Sequence, residues 1–393
     1  MTFPRLALTW GLAIGAVVVA TAQRASGPQA PVPLDQLKLP PGFHISIYAD
    51  DVRSAREMAL GAKGTVFVGS MDARQVYAII DRNGAREVKV IATNLSKPTG
   101  VAFRNGALYI ATTTSILRLD DIEARLDAPP APITVISGLP GVHHDWKFLA
   151  FGPDGLMYVS VGSPCNVCEK EILDDPRYAT IMRMTPDGKN PEIFAHGVRN
   201  SVGFDWSPET HEMWFSDNGR DNLGDDIPSD ELNIAPRAGM HFGFPYCNQG
   251  DLKDPDFGSD KHPCSDFTPP VLKLGPHVAS IGMEFYTGKM FPKEYQNSIF
   301  VAQHGSWNRS VPIGYRVMWV KVSGSKVLSY EPFVDGFLHG VRGTPTADRA
   351  TGDAYARPAH VLTLSDGSLL VSDDSGPNGR GGRIFRVTYG AAK

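Results

Sequence analysis

No run of one charge sign dominates this 393-residue chain, in which 38 Lys and Arg stand against 42 Asp and Glu for a formal net charge of −4. Nucleic acid and anionic membrane surfaces select basic patches, so neither partner is expected. Sustained helical periodicity is scarce, and residues 120–126 form its clearest short stretch. Nucleophile elbow, phosphate loop and dinucleotide fingerprint are all missing. Gly376-Pro-Asn-Gly379-Arg-Gly381 has loop rather than helix surroundings, which disfavours a nucleotide cofactor. A long membrane span is missing too. Residues 6–22 are apolar but short and rich in small side chains. They follow Arg5 and end in Ala20-Thr21-Ala22, the pattern of a cleavable signal peptide over 1–22, with an uncleaved anchor as the alternative. Residues 23–36 then read as a flexible lead-in, and 37–393 as one exported domain, periplasmic or secreted, with no stable membrane span after processing.

Cysteine is sparse and even in number. The four are Cys165, Cys168, Cys247 and Cys264, which in an exported chain favour two disulfides, 165–168 and 247–264. Redox thiols or zinc are the alternatives for Cys165-Asn-Val-Cys168, but a second matching pair is lacking. Glu169 follows it rather than His, so no haem attaches there, and electrons from any oxidation must leave to a separate acceptor.

What the chain has in quantity is turn residues, with 40 Gly and 31 Pro. A turn followed by a β-rich run recurs six times: Ala62-Lys-Gly-Thr-Val-Phe-Val-Gly, Phe103-Arg-Asn-Gly-Ala-Leu-Tyr-Ile-Ala, Phe151-Gly-Pro-Asp-Gly-Leu-Met-Tyr-Val-Ser, Trp206-Ser-Pro-Glu-Thr-His-Glu-Met-Trp-Phe-Ser, Asn297-Ser-Ile-Phe-Val-Ala and Leu364-Ser-Asp-Gly-Ser-Leu-Leu-Val-Ser. Each reads as a hairpin whose second strand is buried. Six copies predict an all-β, six-bladed β-propeller rather than a sandwich or two small β domains. Gln75-Val-Tyr-Ala-Ile-Ile and Arg383-Ile-Phe-Arg-Val fit as outer strands, and the insert 221–276 is expected to form loops on one face.

Four polar clusters adjoin these hairpins. His144, in Gly141-Val-His-His-Asp-Trp-Lys, can accept a proton near neutral pH, although an exposed loop His is more often structural. Arg199, in Gly197-Val-Arg-Asn-Ser-Val-Gly, offers fixed donors for an oxyanion or carboxylate, or else an inter-blade salt bridge. Ser216-Asp-Asn-Gly-Arg-Asp-Asn with Asp225, Asp226, Asp230 and Glu231 has the oxygens calcium prefers without EF-hand spacing; a solvated acidic loop is the alternative. Gln303-His-Gly-Ser-Trp-Asn-Arg, with Arg357 nearby, brings together aromatic and cationic groups suited to a flat, multiply anionic ligand.

The order of His144 with Gly152-Pro-Asp-Gly, His196-Gly-Val-Arg199-Asn200, Ser216-Asp-Asn-Gly219, Asp230-Glu-Leu-Asn233 and Gly239-Met-His-Phe-Gly-Phe-Pro245 resembles the soluble glucose/sorbosone dehydrogenases, nearest to their sorbosone dehydrogenase-like branch. The resemblance covers residues 37–389. It implies pyrroloquinoline quinone (PQQ) and Ca²⁺ as cofactors, with a sugar or sugar-derived aldehyde or alcohol as the small-molecule substrate. By the same resemblance His144 is the general base, Arg199 hydrogen-bonds the quinone and Asn200 holds it. Main-chain oxygens of Gly219 and Arg220 bind calcium, and Arg357 meets a cofactor carboxylate. The chain departs from the glucose-oxidising pattern at several positions. Ser163 replaces an Asp that orients the base, Leu272 and Gly275 fall where two aromatics cover the cofactor, His277 replaces a Thr and Ala359 an Arg. A cofactor-binding Lys falls near Gly305, where Arg309 substitutes, with Trp307 between them. The competing readings are a calcium-dependent lactonase, which requires carboxylates converging from several blades, and a non-catalytic binding propeller.

Overall fold

Asn105 and Gly106 show how the recurring turns make hairpins. Both have positive φ, 51° and 82°, and they join strands that pair Arg104 with Ala107, the geometry that suits the twist of a two-residue loop. The looser copies turn at His211 and Asn297, which take φ of 59° and 57°. Beyond each turn comes a five-residue strand with every residue buried: Val66–Ser70, Ala107–Ala111, Met157–Val161, Met213–Asp217, Ile299–Gln303 and Leu369–Asp373. A strand covered on both faces reads as a continuous apolar run, which is why these segments stand out in the sequence.

In the computed structural model, residues 31–346, 349–374 and 381–390 are described. The proposed signal segment 1–22, most of the lead-in, and the loop beginning at Gly376 lie outside them. The six hairpins are the inner halves of six four-stranded antiparallel blades, to the third of which Met240–His241 adds a parallel fifth strand. Blades 1 to 6 begin, nearest the axis, with Ala55–Leu60, Gly100–Arg104, Leu149–Phe151, Phe204–Trp206, Ser280–Phe285 and Pro358–Thr363. The chain is a six-bladed β-propeller, and none of its described helices is long and apolar enough to cross a membrane.

Val76–Arg82 and Arg383–Tyr389 are the third strands of blades 1 and 6, outer strands as the sequence suggests. The fourth strand of blade 6 is Phe43–Ala49, pairing antiparallel with Phe43 opposite Tyr389, so the two ends of the domain close the ring together. The insert 221–276 is not all loop. It holds Ser229–Ala235 and Leu272–Pro276, the third and fourth strands of blade 4, and a small hairpin, Cys247–Asn248 with Leu252–Lys253. The helical reading of 120–126 reduces to one 3₁₀ turn, Ile122–Ala124. Both expected disulfides, Cys165–Cys168 and Cys247–Cys264, are formed.

The core lies between blades. Six apolar clusters each draw on two adjacent blades: Tyr77 with Ile384, Phe67 with Leu108, Tyr109 with Met157, Tyr158 with Phe215, Trp214 with Phe285, and Phe300 with Phe385. No blade therefore buries its faces alone, and the ring forms as a unit.

Buried polar groups staple the inner strands to one another. Glu57 accepts the main-chain N–H of Val101 and of Leu149, each at 3.1 Å. Asp205 accepts from Phe285 at 2.8 Å, Glu284 from Thr363 at 2.9 Å, and His360 Nδ1 from Met58 at 3.3 Å. Burial pushes Asp205 up to about 6, Glu284 up to about 8 and Glu57 well above the usual carboxylate range. It pushes His144, His241, His304 and His360 down, to about 2, 4, 4 and 3. A raised carboxylate binds more protons folded than unfolded, so its stabilisation is lost as pH rises toward the folded value. A depressed imidazole costs stability only below its unfolded value of about 6.5. Between pH 6.5 and 8 only the carboxylates act, and Lys147, pushed down to about 8 by burial, enters above that. Unfolding free energy is therefore expected to fall from pH 6.5 to 8, with Glu284 alone contributing roughly 1–2 kcal/mol. Denaturant titrations at both pH values measure this, and Glu284→Gln should flatten the slope; a rise in stability over that interval would refute it.

Candidate active site

One mouth of the axial channel widens into a cavity of about 580 Å³. Its walls come from segments that enter inner strands, carrying His144, Arg199, Asn200, His277 and Arg357, and from those that leave second strands, carrying Gly219, His304 and Trp307. The hairpin repeat fixes the scaffold, and the polar clusters beside it fall on one rim. Deeper in the channel Trp146, Val202, Ile281 and Ala359 form an apolar plug.

His144 is buried. Its Nδ1 lies 2.9 Å from the main-chain oxygen of Ser163, so Nδ1 carries the proton and Nε2 keeps a free lone pair. Burial, helped by the charge of Arg199, holds the ring neutral. Ser163 thus supplies, through its carbonyl, the acceptor that its side chain cannot. Gly162 makes this approach possible, because a Cβ there would lie 2.6 Å from the Cβ of His144.

Arg199 is 4% exposed and donates only to protein oxygens. Nε reaches Asn166 O at 2.9 Å, and Nη1 reaches Gly219 O at 2.8 Å and Asn218 O at 3.2 Å. Nη2 reaches Asn166 Oδ1 at 2.9 Å and Asp221 Oδ2 at 3.3 Å. The side chain faces the cavity as a fixed positive charge rather than as a free donor. Beside it the Oδ1 of Asn200 is buried without a hydrogen-bond partner, an acceptor left for a ligand on the cavity wall.

Of the acidic residues in 217–231, Asp217, Asp230 and Glu231 fold inward instead of gathering round a cation. Asp217 accepts the N–H groups of Arg199 and Asn200 at 2.8 and 2.6 Å, while Asp230 accepts those of Gly219 and Ser280 at 3.1 and 2.8 Å. Glu231 pairs with Asn233 at 3.0 Å. Burial pushes Asp217 and Asp230 up to about 7 and Glu231 to about 8. Among the described residues no group of three or more His, Cys, Asp or Glu could hold a metal.

The remaining expected residues divide. His277 Nε2 lies 2.9 Å from both Gly224 O and Ile227 O, which fixes its ring at the cavity wall. Trp307 stands at the mouth, 43% exposed. Arg357 donates to His304 O at 3.1 Å and Gly305 O at 3.0 Å and lies over the Tyr315 ring. Arg309 and Arg220 do not line the cavity. Arg309 donates to Asp225 O and pairs with Asp226 at 3.5 Å, tying down that loop. The Arg220 guanidinium turns to Asp254 and Asp256, at 2.8 and 3.0 Å, and anchors the disulfide-linked hairpin.

Sequence reasoning passed over Arg56 and Asn166 as wall residues, and it gave Asp221, His304 and Asn308 only as members of their clusters, without a role of their own. His304 Nε2 contacts Asp374 at 2.6 Å, and Asp374 also meets Arg56 Nε at 2.6 Å. Arg56 sits in a plain inner strand with no motif around it. Asn166 was visible only as filler between two cysteines.

Known proteins share this architecture. A curated protein of Borreliella burgdorferi, itself uncharacterised, is 32% identical over 367 residues, covering 90% of this chain and 91% of its own. The pyrroloquinoline quinone-dependent pyranose dehydrogenase of Coprinopsis cinerea is 24% identical over 345 residues, 75% of this chain but only 46% of that longer protein. The calcium structure of the Trichoderma reesei Family AA12 carbohydrate-active enzyme superposes with a TM-score of 0.73 at 19% identity, covering 92% of this chain and 99% of that one. The PQQ domain of the Coprinopsis cinerea pyranose dehydrogenase gives 0.72 at 19% identity, covering 92% and 98%. The TrAA12-like family model matches residues 37–379, from before the closing strand at Phe43 to beyond the second strand of blade 6, and the chain belongs to that family.

Proposed function

We propose that this protein is a PQQ- and Ca²⁺-dependent sugar dehydrogenase that oxidises a sugar or a sugar-derived aldehyde or alcohol and passes the electrons to a separate acceptor. The observation that carries the reading is the shared cavity, where a neutral imidazole, an immobilised guanidinium and the unpartnered amide oxygen of Asn200 line one space. The cavity volume, about 580 Å³, is in the range that small-molecule sites occupy. Arg357 and Arg56 on its wall suit the carboxylates of a flat anionic cofactor, and the buried Oδ1 of Asn200 suits an N–H or O–H donor. The names of the pyranose dehydrogenase relatives point the same way.

When bound, PQQ supplies the hydride acceptor and Ca²⁺ polarises it. Calcium would rest on the main-chain oxygen of Gly219, which lines the cavity, already accepts from Arg199 and has a second lone pair to give; the Arg220 oxygen, the other ligand the resemblance implies, follows it in the chain. Nε2 of His144 takes the proton of the substrate hydroxyl. Arg199 lowers the energy of negative charge developing beside it through its field, not by a new hydrogen bond. His277 and Trp307 contribute cofactor contacts at the rim, and Arg309 supports them by holding the 225–226 loop. A sorbosone-like substrate, a cleaved leader over 1–22 and a periplasmic or secreted location complete the reading.

Adding PQQ and CaCl₂ to purified protein, followed by gel filtration and absorbance, should leave quinone bound one to one. A dye-linked screen of sugars and aldehydes then identifies the substrate. No retained quinone would end the proposal. The lactonase alternative requires carboxylates converging from several blades, whereas here Asp217 and Asp230 bond to backbone N–H groups, Glu231 to Asn233, and Asp221 to Arg199 and Asn308.

A further inference from the structure

The turn closed by Cys165–Cys168 touches both residues on which the proposed chemistry depends. Ser163, which leads into it, accepts from His144 Nδ1 at 2.9 Å and donates its N–H to Arg199 O at 2.8 Å. Its hydroxyl donates to Cys165 O at 2.5 Å, joining these contacts to the disulfide ring. Inside the ring Asn166 spends every polar group of its side chain on the cavity wall. Its Oδ1 accepts from Arg199 Nη2 at 2.9 Å and from the N–H of Asp221 at 2.8 Å, and its Nδ2 donates to Asp221 O at 3.1 Å. Its main-chain oxygen accepts from Arg199 Nε at 2.9 Å. Asp221 in turn carries the contact to Asn308, whose Nδ2 donates to Oδ1 at 2.7 Å.

A free arginine side chain samples many rotamers, and a planar fork is useful only when its acceptors are themselves fixed. Here two of the five acceptors, Asn166 O and Oδ1, sit on a loop outside the blade's hydrogen-bonded ladder, and the disulfide closes that loop. Asn166 also bonds Asp221, which carries a third acceptor. We propose that the Cys165–Cys168 turn is a clamp in which Asn166 is the positioning residue for Arg199 and Asp221, so that the cavity keeps its shape only while the disulfide is closed. The clamp rests on the proposed function for its purpose, but not for its existence.

Two readouts separate these. The first is solvent exchange of the Arg199 Nε–H, followed by ¹⁵N NMR and assigned by its loss in Arg199→Lys. The second is the dissociation constant for PQQ in the presence of Ca²⁺, from quenching of tryptophan fluorescence. In Asn166→Ala and in the double variant Cys165→Ser/Cys168→Ser, exchange should quicken and quinone binding weaken, each by about tenfold, the worth of one or two hydrogen bonds. Asn166→Asp keeps the two accepting bonds and should recover most of both. Cys247→Ser/Cys264→Ser, which opens the other disulfide, should leave Arg199 exchange within about threefold of wild type, because its hydrogen bonds are independent of that one. Thermal melting identifies any variant that fails to fold, and Asn166→Ala carries the test if the cysteine variant does. Unchanged Arg199 exchange in Asn166→Ala overturns the clamp. Faster exchange in a protein that binds no quinone leaves the clamp standing and removes the cofactor reading.

Discussion

Replacing His144 by alanine should lower turnover of any accepted sugar by about 10²–10⁴-fold, the usual contribution of a positioned general base. Quinone affinity should stay within about threefold of wild type, since in the proposed reading the residue meets the substrate proton and not the cofactor's charged groups. The expectation follows from the hydrogen bond between His144 Nδ1 and Ser163 O, which leaves Nε2 as the basic nitrogen. A glutamine at 144 can still donate to that carbonyl, yet it has no lone pair of comparable basicity, so it should be nearly as inactive. Burial pushes the imidazole down to about 2, so it stays unprotonated through the working range. The pH profile of kcat/KM should accordingly show no acidic limb from this group above pH 5. Single-turnover reduction of bound quinone, run beside fluorescence titration, separates the two effects. Turnover in His144→Ala within about fivefold of wild type would assign the proton to another group.

The propeller was legible because its signal is local. A turn at positive φ and five consecutive buried residues lie within about ten positions of each other, and the pattern occurs once per blade. Closure was not legible. Phe43–Ala49 pairs with Arg383–Tyr389 at the other end of the domain, and nothing in FHISIYA names its partner. In the site, sequence located loops better than it located side chains. His144, Arg199, Asn200, Gly219, His277, Trp307 and Arg357 all reach the cavity wall. Arg309 sits in the same motif as Trp307, but its guanidinium holds the 225–226 loop and turns away from the cavity. The acidic stretch misled for a related reason. Composition shows oxygen ligands, whereas Asp217 and Asp230 are consumed by backbone N–H groups that only the folded loop creates.

Arg199→Lys is the sharper test of the site, because it keeps the charge and removes only the fork. The guanidinium bonds five oxygens from three directions: Asn166 O and Oδ1, Gly219 O, Asn218 O and Asp221 Oδ2. An ammonium has three hydrogens on one point and cannot span them. At least two of these oxygens would lose this donor, and among the described residues only Asn166 Oδ1 keeps another, the N–H of Asp221, in a site where Arg199 is 4% exposed. An unmet buried polar group costs about 1–3 kcal/mol, so Arg199→Lys should lose roughly 2–4 kcal/mol of unfolding free energy in denaturant titration. Arg199→Ala should lose at least as much, about 3–5 kcal/mol, since Asp221 then faces the cavity without its cation. Activity of the lysine variant should fall by about 10²-fold, as positioned charge in such sites is typically worth. Equal stability and turnover in Arg199→Lys would show that charge alone suffices. A loss in both, with charge conserved, places the requirement in the geometry of the planar fork.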